Sequence, residues 1–381
     1  MKGVTKGNIK KYALNEFLTE YKELNTDNKY RPVAVGRYGI RKRESIYSKE
    51  LAKDYSKNKL IHKGTLTVGM GSKQIDIGIL IEDETFAVSP AYHTYEIQGI
   101  RCKYLEYCLQ SKNIEMFSLY AKRGSRQGKS IDLKRWLTYK IPVYSEKDQI
   151  VIEENLNKIN YVIELRRKQI DLLDELVKAR FVEMFGDPNI EFKYSSVKFN
   201  DLVVRMTKGP FGSDMKKDLF VPKGEDTYKV YIQINAIQKN QSLGEYYISK
   251  EYFDRKVSRF ELFPNDYIIT CDGTLGKYLK LDENMEKGVI SPSLLRLTLQ
   301  NDKINDKYFE NIWDFYMLGL MKKEARNACL VHLPSAKKIG EISIPVPPLE
   351  LQNQFASFVE EIDKSRLLSN HSLLLLKSII F

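Results

Sequence analysis

The second half of the chain repeats the pattern of the first. Placing Lys140-Ile141-Pro142-Val143 over Ser343-Ile344-Pro345-Val346 gives an offset of 203 residues, which also superposes Gln149 on Gln352, Ile159 on Ile362, Leu165 on Leu368 and Leu172 on Leu375. Upstream, Val88-Ser89-Pro90 falls on Ile290-Ser291-Pro292, and Ser48-Lys49-Glu50 falls on Ser249-Lys250-Glu251. This recurrence predicts a diverged tandem duplication, in which each copy of about 200 residues is a mixed segment followed by a long helix.

Each copy ends in a segment with heptad spacing of apolar residues. The first seam is Ile152, Leu156, Ile159, Ile163, Ile170, Leu173 and Val177, and the second includes Phe355, Val359, Ile362, Leu373 and Leu376. Alternating steps of four and three predict two long helices whose seams pack on each other. The first helix is expected from Glu146 to Met184, because Gly186-Asp187-Pro188 then stops it.

A second apolar stripe runs beside the seams. Its members are Leu165, Leu172, Leu176, Leu368 and Leu375. An apolar stripe that the seam does not use can bind another protein, or it can cover the neighbouring domains of the same chain. The spacing leaves both interpretations open.

The segments before the helices mix short β-like runs with helical stretches. The expected strands are Pro32–Val35, Leu66–Val68, Ile75–Ile81, Phe86–Val88, Val230–Ile234, Tyr267–Ile269 and Leu294–Leu299, and the expected helices are Leu105–Tyr120 and Tyr308–Arg326. Neither segment alternates strands and helices regularly, as a Rossmann sheet does. The sequence therefore predicts an α+β protein.

Charge and hydropathy restrict the environment and the partner. The 381 residues carry a formal net charge of +11, and the pI of about 9.1 is typical of proteins that bind a polyanion such as nucleic acid. No apolar run approaches the 18 residues that a transmembrane helix needs, and no signal-peptide pattern opens the chain. We expect a soluble, cytoplasmic protein.

Motifs that would encode catalysis are absent from the sequence. The four cysteines and four histidines form neither a C-x-x-C pair nor a zinc spacing. The stretch Gly124–Ser130 has one residue too few between its glycines for a Walker A loop. We therefore predict no catalytic, cofactor or metal site. A nuclease or methyltransferase in its own right, and a coiled-coil scaffold without DNA specificity, remain as alternatives.

Polar and basic loops recur at matching places in the two copies and form the best candidate binding surface. Lys and Arg suit phosphates, amide side chains suit adenine, and glycine lets a backbone approach closely. Gln233 and Asn235 would share one face if they lay on a strand. The candidate DNA-binding residues are Arg37, Tyr38, Arg41, Lys42, Arg43, Ser72, Lys73, Arg123, Arg126, Lys129, Lys208, Ser213, Gln233, Asn235, Lys239, Thr274, Lys277 and Arg326.

The whole chain resembles a specificity (S) subunit of a type I restriction-modification system. The resemblance rests on the domain–helix–domain–helix order, on Ile-Pro-Val before each helix, and on Gln149 and Gln352 near the helix starts. It is strongest in the second copy, at Met206–Ser213, Asp272–Lys277 and Ile290–Pro292. The first copy departs from the pattern because it has no clear Lys-Gly-x-x-Gly-Ser loop.

The resemblance implies a bipartite DNA target, read by two target-recognition domains at 1–143 and 189–346. The helices, expected at 144–188 and 347–381, would pack as an antiparallel coiled coil. Two methyltransferase subunits and the restriction subunits would join them on double-stranded DNA. No cofactor is expected in this chain, since S-adenosylmethionine, ATP and Mg²⁺ would belong to the partner subunits. Two half-sites about one helical turn apart, roughly 34 to 36 Å, would suit this arrangement.

Overall fold

The computed structural model describes residues 9–36, 39–46, 54–123, 129–187, 189–239, 244–325 and 332–380. The chain divides into two compact units. The first contains residues 1–168 and 369–381, and the second contains residues 169–368. Each unit combines a four-stranded sheet, smaller sheets and helices. The α+β class predicted from the sequence is confirmed.

The first unit begins the element order. Its strands are β1 (Lys10–Ala13), β2 (Leu18–Glu20), β3 (Val33–Gly36), β4 (Gly39–Lys42), β5 (Lys59–Ile61), β6 (Thr65–Met70), β7 (Ile75–Ile79), β8 (Phe86–Val88), β9 (His93–Ile97), β10 (Ala121–Arg123), β11 (Lys129–Ile131) and β12 (Lys140–Val143). Its helices are α1 (Cys102–Ser111), α2 (Asn113–Tyr120) and α3 (Leu133–Trp136), and α4 (Glu146–Phe185) then runs into the second unit.

The main sheet of the first unit has the antiparallel order β2-β9-β6-β7. Its apolar side chains pack with those of α1 and α2 in a core that includes Leu66, Ile77, Leu105, Met116 and Trp136, all almost fully buried. A second, smaller core lies beneath the β3–β4 hairpin and the β5–β8 pair.

The second unit continues the element order. Its strands are β13 (Gly186–Asp187), β14 (Glu191–Phe192), β15 (Ser196–Lys198), β16 (Val203–Lys208), β17 (Thr227–Tyr231), β18 (Tyr246–Ser249), β19 (Tyr267–Thr270), β20 (Tyr278–Lys280), β21 (Gly288–Ile290), β22 (Leu294–Leu299) and β23 (Ser343–Pro345). Its helices are α5 (Gln233–Ala236), α6 (Lys250–Tyr252), α7 (Asp306–Ile312), α8 (Leu318–Ala325), α9 (Ala336–Gly340) and α10 (Leu349–Ile380), the last of which ends in the first unit.

The main sheet of the second unit has the antiparallel order β16-β22-β19-β20. One core packs this sheet against α7 and the long helices, with Phe181, Tyr267, Phe309 and Phe355 fully buried. A second core joins the sheet to the three-stranded sheet β18-β17-β21.

The repeat seen in the sequence is a repeat of architecture. Strands β2, β9, β6 and β7 of the first unit take the same order as β16, β22, β19 and β20 of the second. In both units the strand before the long helix pairs with an early strand, β1 with β12 and β15 with β23. The hydroxyl of Tyr104 donates to the carbonyl of Pro142 at 2.7 Å, and Tyr308 donates to that of Pro345 at the same distance.

The two long helices run antiparallel where they lie side by side in the second unit. Asp174 forms an ion pair with Arg366 at 2.5 Å, whereas Phe181, further along α4, packs on Phe355, which lies earlier in α10. Every residue of the two predicted seams is buried or half-buried. The prediction of two heptad helices packed in opposite directions is confirmed, and α4 begins at Glu146 as expected.

Three local expectations are wrong or incomplete. The strand predicted at Val230–Ile234 is β17, which ends at Tyr231, and Gln233 begins a short helix instead. The expected helix Leu105–Tyr120 is two helices that meet at Lys112. The expected helix Tyr308–Arg326 is interrupted by a wider turn at Trp313–Met317.

Two further expectations stay open. The repeat match at Ser48-Lys49-Glu50 lies outside the described residues, and the domain boundaries at residues 143, 188 and 346 remain predictions. Within the described part of the chain, no helix combines the length and apolar character needed to cross a membrane.

Candidate nucleic-acid interface

Three segments of the second unit leave the main sheet at one end. Lys208 ends β16 opposite the first residues of β22, and Thr270 ends β19 opposite Leu294. Tyr278 begins β20 beside the end of β19. Residues 208–213, 271–277 and 291–293 therefore lie together, and we call them the loop end of the second unit.

Backbone hydrogen bonds join these segments into one surface. The amide of Gly209 donates to the carbonyl of Leu294 at 2.8 Å, and the amide of Cys271 donates to that of Ser293 at 2.8 Å. A Cβ atom at Gly209 would lie 2.0 Å from the carbonyl oxygen of Ser291, so only glycine allows this approach. The loop after β16 is thereby held against the loop before β22.

The loop from Thr270 to Lys277 is closed by its own backbone. The Thr270 hydroxyl donates to the carbonyl of Thr274 and accepts the amide of Lys277 at 3.0 Å. Gly273 and Gly276 have positive φ angles of 68° and 73°, which other residues adopt at a cost. This closure leaves the side chains of Thr274 and Lys277 exposed.

An open cavity of about 680 Å³ borders this loop. Lys277 and Lys322 supply positive charge to its lining, and Asp314 supplies a carboxyl group whose pKa is raised by burial. Lys322 was missed at the sequence level, because it lies on α8, far along the chain from the loop whose cavity it lines. The hydrophobic part of the lining includes Ile237 and Leu318.

A pair of ionisable side chains ties the loop to the segment before α9. Oδ1 of Asp272 lies 2.5 Å from Nδ1 of His332, and the amide of Leu333 donates to the carbonyl of Cys271 at 2.9 Å. Burial raises the pKa of the Cys271 thiol to about 12, so the thiol stays protonated at neutral pH. The Asp272–His332 contact could not be predicted from the sequence, because its two residues are 60 positions apart.

The remaining candidates of the second unit lie in two different segments of the chain. Ser213 is exposed at the end of the 208–213 segment. Gln233 and Asn235 lie on α5, where a separation of two residues places side chains about 200° apart, so they do not share a strand face. Asn235 donates its amide to the carbonyl of Gly244. Lys239 is exposed just after α5.

The first unit has an equivalent loop end. A turn closed by the amide of Gly71, which donates to Gln74 at 3.1 Å, joins β6 to β7 and exposes Ser72 and Lys73. The segment before β9 also repeats: the amide of Tyr92 donates to Ser89 at 3.0 Å, as the amide of Leu294 donates to Ser291 at 3.1 Å. The Ser-Pro match found in the sequence therefore marks the same turn in both units.

Tyr92 and His93 are further residues of this loop end that the sequence did not indicate. The Tyr92 hydroxyl donates to the carbonyl of Val35 at 2.8 Å, which holds the β3–β4 hairpin to the turn. Burial, followed by the nearby charge of Lys59, lowers the pKa of His93. His93 is therefore neutral at pH 7 and can donate or accept a hydrogen bond.

The basic candidates Arg41, Lys42 and Arg43, expected in a loop, lie largely on a hairpin strand. Arg41 and Lys42 lie on β4, which pairs with β3, and Arg43 opens a short helical turn. Lys42 forms an ion pair with Glu84 at 3.7 Å. The hairpin packs on β7 through Ile40, which fills the space above Gly78.

Several candidates cannot be placed. Arg37, Tyr38, Arg126 and Arg326 lie outside the described residues, as do the side chains of Arg123 and Lys129. Their assignment as DNA contacts stays a prediction. In the described ranges no group of three His, Cys, Asp or Glu side chains could hold a metal ion.

Residues 212–377 match a protein-family model, the Type I restriction modification DNA specificity domain. Over these residues the chain is similar to a type I restriction-modification DNA specificity domain. This confirms the resemblance indicated by the sequence motifs. The matched range covers most of the second unit, including Thr274 and Lys277 of its loop end, and continues into α10.

One relative with a similar sequence is a specificity subunit. The Type I restriction enzyme MjaVIII specificity subunit of Methanocaldococcus jannaschii is 30% identical over 144 residues, which cover 34% of this chain. The aligned part spans only 32% of that relative's length.

Solved structures resemble the chain over its full length. One of them comes from a study of complex assembly and conformational transition of the type I R-M system. It has a TM-score of 0.62 at 13% identity, and the match covers 100% of this chain and 97% of that chain. This similarity shows a shared fold. The S subunit from M. genitalium has a TM-score of 0.49 at 15% identity, covering 100% and 96% of the two chains.

Proposed function

We propose that this chain is the DNA-specificity subunit of a type I restriction-modification complex and that it recognises a bipartite target. The observation that carries the proposal is the recurrence of one sheet end, with its polar loops, in both units. A duplicated reading surface suits a target made of two half-sites. Each unit would read one half-site.

Within each unit, the loop end supplies the two kinds of contact that DNA recognition needs. Lys208, Lys277 and Lys73 are exposed cations that suit phosphates. Ser213 and Thr274 in the second unit, and Ser72 in the first, carry exposed short hydroxyls that can reach base edges. The phosphate contacts position the unit, and the base contacts give specificity.

The long helices would recruit the enzymatic subunits. Leu165, Leu172 and Leu176 of α4 are 47%, 53% and 46% exposed, and Leu368 and Leu375 of α10 are 74% and 55% exposed. The seam residues of the same helices are buried or half-buried, so this outer stripe is left for another surface. Of the two interpretations of the stripe, exposure favours partner binding.

Chemistry would then belong to the partners. We propose two methyltransferase subunits, which bind S-adenosylmethionine, and restriction subunits, which use ATP and Mg²⁺. This chain would contribute recognition without catalysis.

Methylation mapping tests the proposal. The chain would be expressed in a host without restriction-modification systems, alone and together with a type I methyltransferase subunit from the same source, and the genomic DNA sequenced for methylated bases. We expect methylation only with both proteins, at one motif of two half-sites separated by a constant gap. Methylation by the chain alone, a motif without two parts, or no methylation with both proteins would contradict the proposal.

A further inference from the structure

Phe211 projects from the loop end of the second unit into solvent. The structure describes two exposed phenylalanines, Phe211 at 77% and Phe263 at 45%. Phe263 precedes β19 and therefore lies at the opposite end of the main sheet. A phenylalanine left this exposed forgoes the gain that burial in a core would give.

The backbone around Phe211 is held on both sides. Before it, Gly209 lies directly against the carbonyl of Ser291. After it, the amide of Asp214 donates to the carbonyl of Phe211 at 2.9 Å, and the hydroxyl of Tyr252 donates to the carbonyl of Asp214 at 3.1 Å. The ring is therefore presented by an anchored turn.

The surroundings of the ring suit nucleic acid better than an apolar protein surface. Lys208, Lys216 and Lys217 are exposed near it in the sequence, and Ser213 is exposed two residues after it. Covering these ammonium groups with an apolar partner would remove their hydration without compensation. DNA instead offers phosphates to the lysines and base faces to the ring.

We propose that Phe211 is a wedge that inserts between adjacent base pairs in the half-site read by the second unit. Apolar side chains inserted in this way partly unstack a base step. Specificity then includes how easily that step unstacks. This inference rests on the proposed function, because it requires a DNA half-site at this loop end.

Fluorescence of 2-aminopurine tests the wedge, since unstacking of this base increases its emission. The methyltransferase complex containing the full chain would be titrated with duplexes of the mapped motif, each with 2-aminopurine at one position of the half-site. We expect an increase at one step with the unaltered chain and with Phe211→Trp, and no increase with Phe211→Ala. The alanine variant should also bind about tenfold more weakly.

Two controls separate the wedge from other roles. Phe211→Ala should leave the slope of log affinity against log salt unchanged, because the ring neutralises no phosphate. Phe263→Ala, at the other end of the sheet, should behave as the unaltered chain. Thermal unfolding of Phe211→Ala should be unchanged, because the ring makes little contact with the core.

Two results would overturn the wedge alone: a Phe211→Ala complex that keeps the fluorescence increase and the affinity, or one that keeps DNA binding but loses the methyltransferase subunit. The second result would make Phe211 a protein contact. If the unaltered complex methylates no bipartite motif, the proposed function fails, and the wedge fails with it.

Discussion

Gln149 and Gln352 make the same pair of hydrogen bonds in the two halves of the chain. Oε1 of Gln149 accepts the amide of Arg101 at 3.1 Å, and Oε1 of Gln352 accepts the amide of Asn305 at 2.8 Å. In both cases Nε2 donates to the carbonyl five residues earlier, at 2.9 and 2.8 Å. Gln149 therefore ties the start of α4 to Arg101, the residue before α1. Gln352 ties the start of α10 to Asn305, the residue before α7.

Replacing Gln352 by alanine should destabilise the protein by about 2 to 3 kcal/mol, because the change leaves buried backbone groups without partners. Gln352 is fully buried, and its Nε2 also donates to the carbonyl of Lys303 at 3.2 Å. Urea unfolding of the purified chain gives the measurement. Gln354→Ala, at an exposed position of the same helix, should stay within about 0.5 kcal/mol of the unaltered chain. Equal effects of the two variants would show that Gln352 does not anchor the helix.

The lysines of the loop end should govern the salt dependence of DNA binding. Lys208→Ala and Lys277→Ala should each reduce the slope of log affinity against log salt by about 0.9, the value for one lost phosphate contact. Lys303→Ala is the matched control, because Lys303 follows β22 at the opposite end of the same sheet. Fluorescence anisotropy of the complex with its motif, measured from low to high salt, gives the slopes. An unchanged slope for both loop-end variants would exclude this surface as the phosphate contact.

The outer stripe of α4 should control assembly. Leu172→Glu and Leu176→Glu place charges on half-exposed apolar positions, so we expect loss of co-purification with the methyltransferase subunit at nearly unchanged thermal stability. Lys178→Glu, at an exposed position of the same helix, should leave assembly intact. Retention of the partner by both leucine variants would show that the stripe is ordinary surface.

An ion-pair network in the second unit should make stability depend on pH. Glu286 contacts Lys223 at 2.7 Å and Lys229 at 3.0 Å, and Tyr247 donates to it. Chiefly through Lys223, these contacts lower the pKa of Glu286 to about 2. Because the pKa in the folded state lies below the unfolded value of about 4.5, the stabilisation is complete above that pH and is lost as the pH falls toward 2.

Glu286→Gln should therefore unfold more easily at pH 7, by no more than about 1 kcal/mol because the pair is partly exposed. Its stability should converge with that of the unaltered chain as the pH falls below about 4.5. Urea unfolding at pH 7 and at lower pH provides the comparison. A difference between the two chains that stays constant with pH would mean that Glu286 acts through packing.

The parts of the fold that repeat in sequence were predictable from it. The seams, the helix starts and the Ser-Pro turns align at nearly constant offset and are set by local patterns. The repeat at the start of the two units could not be seen in the sequence. Leu14 and Phe199 are equivalent, because their amides donate to Tyr139 and Ile342, but they stand closer together in the sequence than the offset of 203 residues. A change in length between them hides the match.

The candidate site was predictable only in part. Lys208, Thr274 and Lys277 carry a local signal, since each stands in a glycine-containing loop after a strand. Tertiary packing brings Lys322 and His332 to the same surface, and an anchored turn presents Phe211 there. The incorrect strand at Gln233 arose because apolar Ile232 and Ile234 alternate as in a strand, while their backbone turns into α5.

Exchange of the second recognition segment would show whether each unit reads its own half-site. Residues 191–343 would be replaced by the corresponding segment of a type I specificity subunit with a different target, and the methylated motif mapped in cells that also contain the methyltransferase subunit. If each unit reads one half-site, one half of the motif should change, and the other half, read by the first unit, should stay the same. A change in both halves, or in neither, would contradict this assignment of one half-site to each unit.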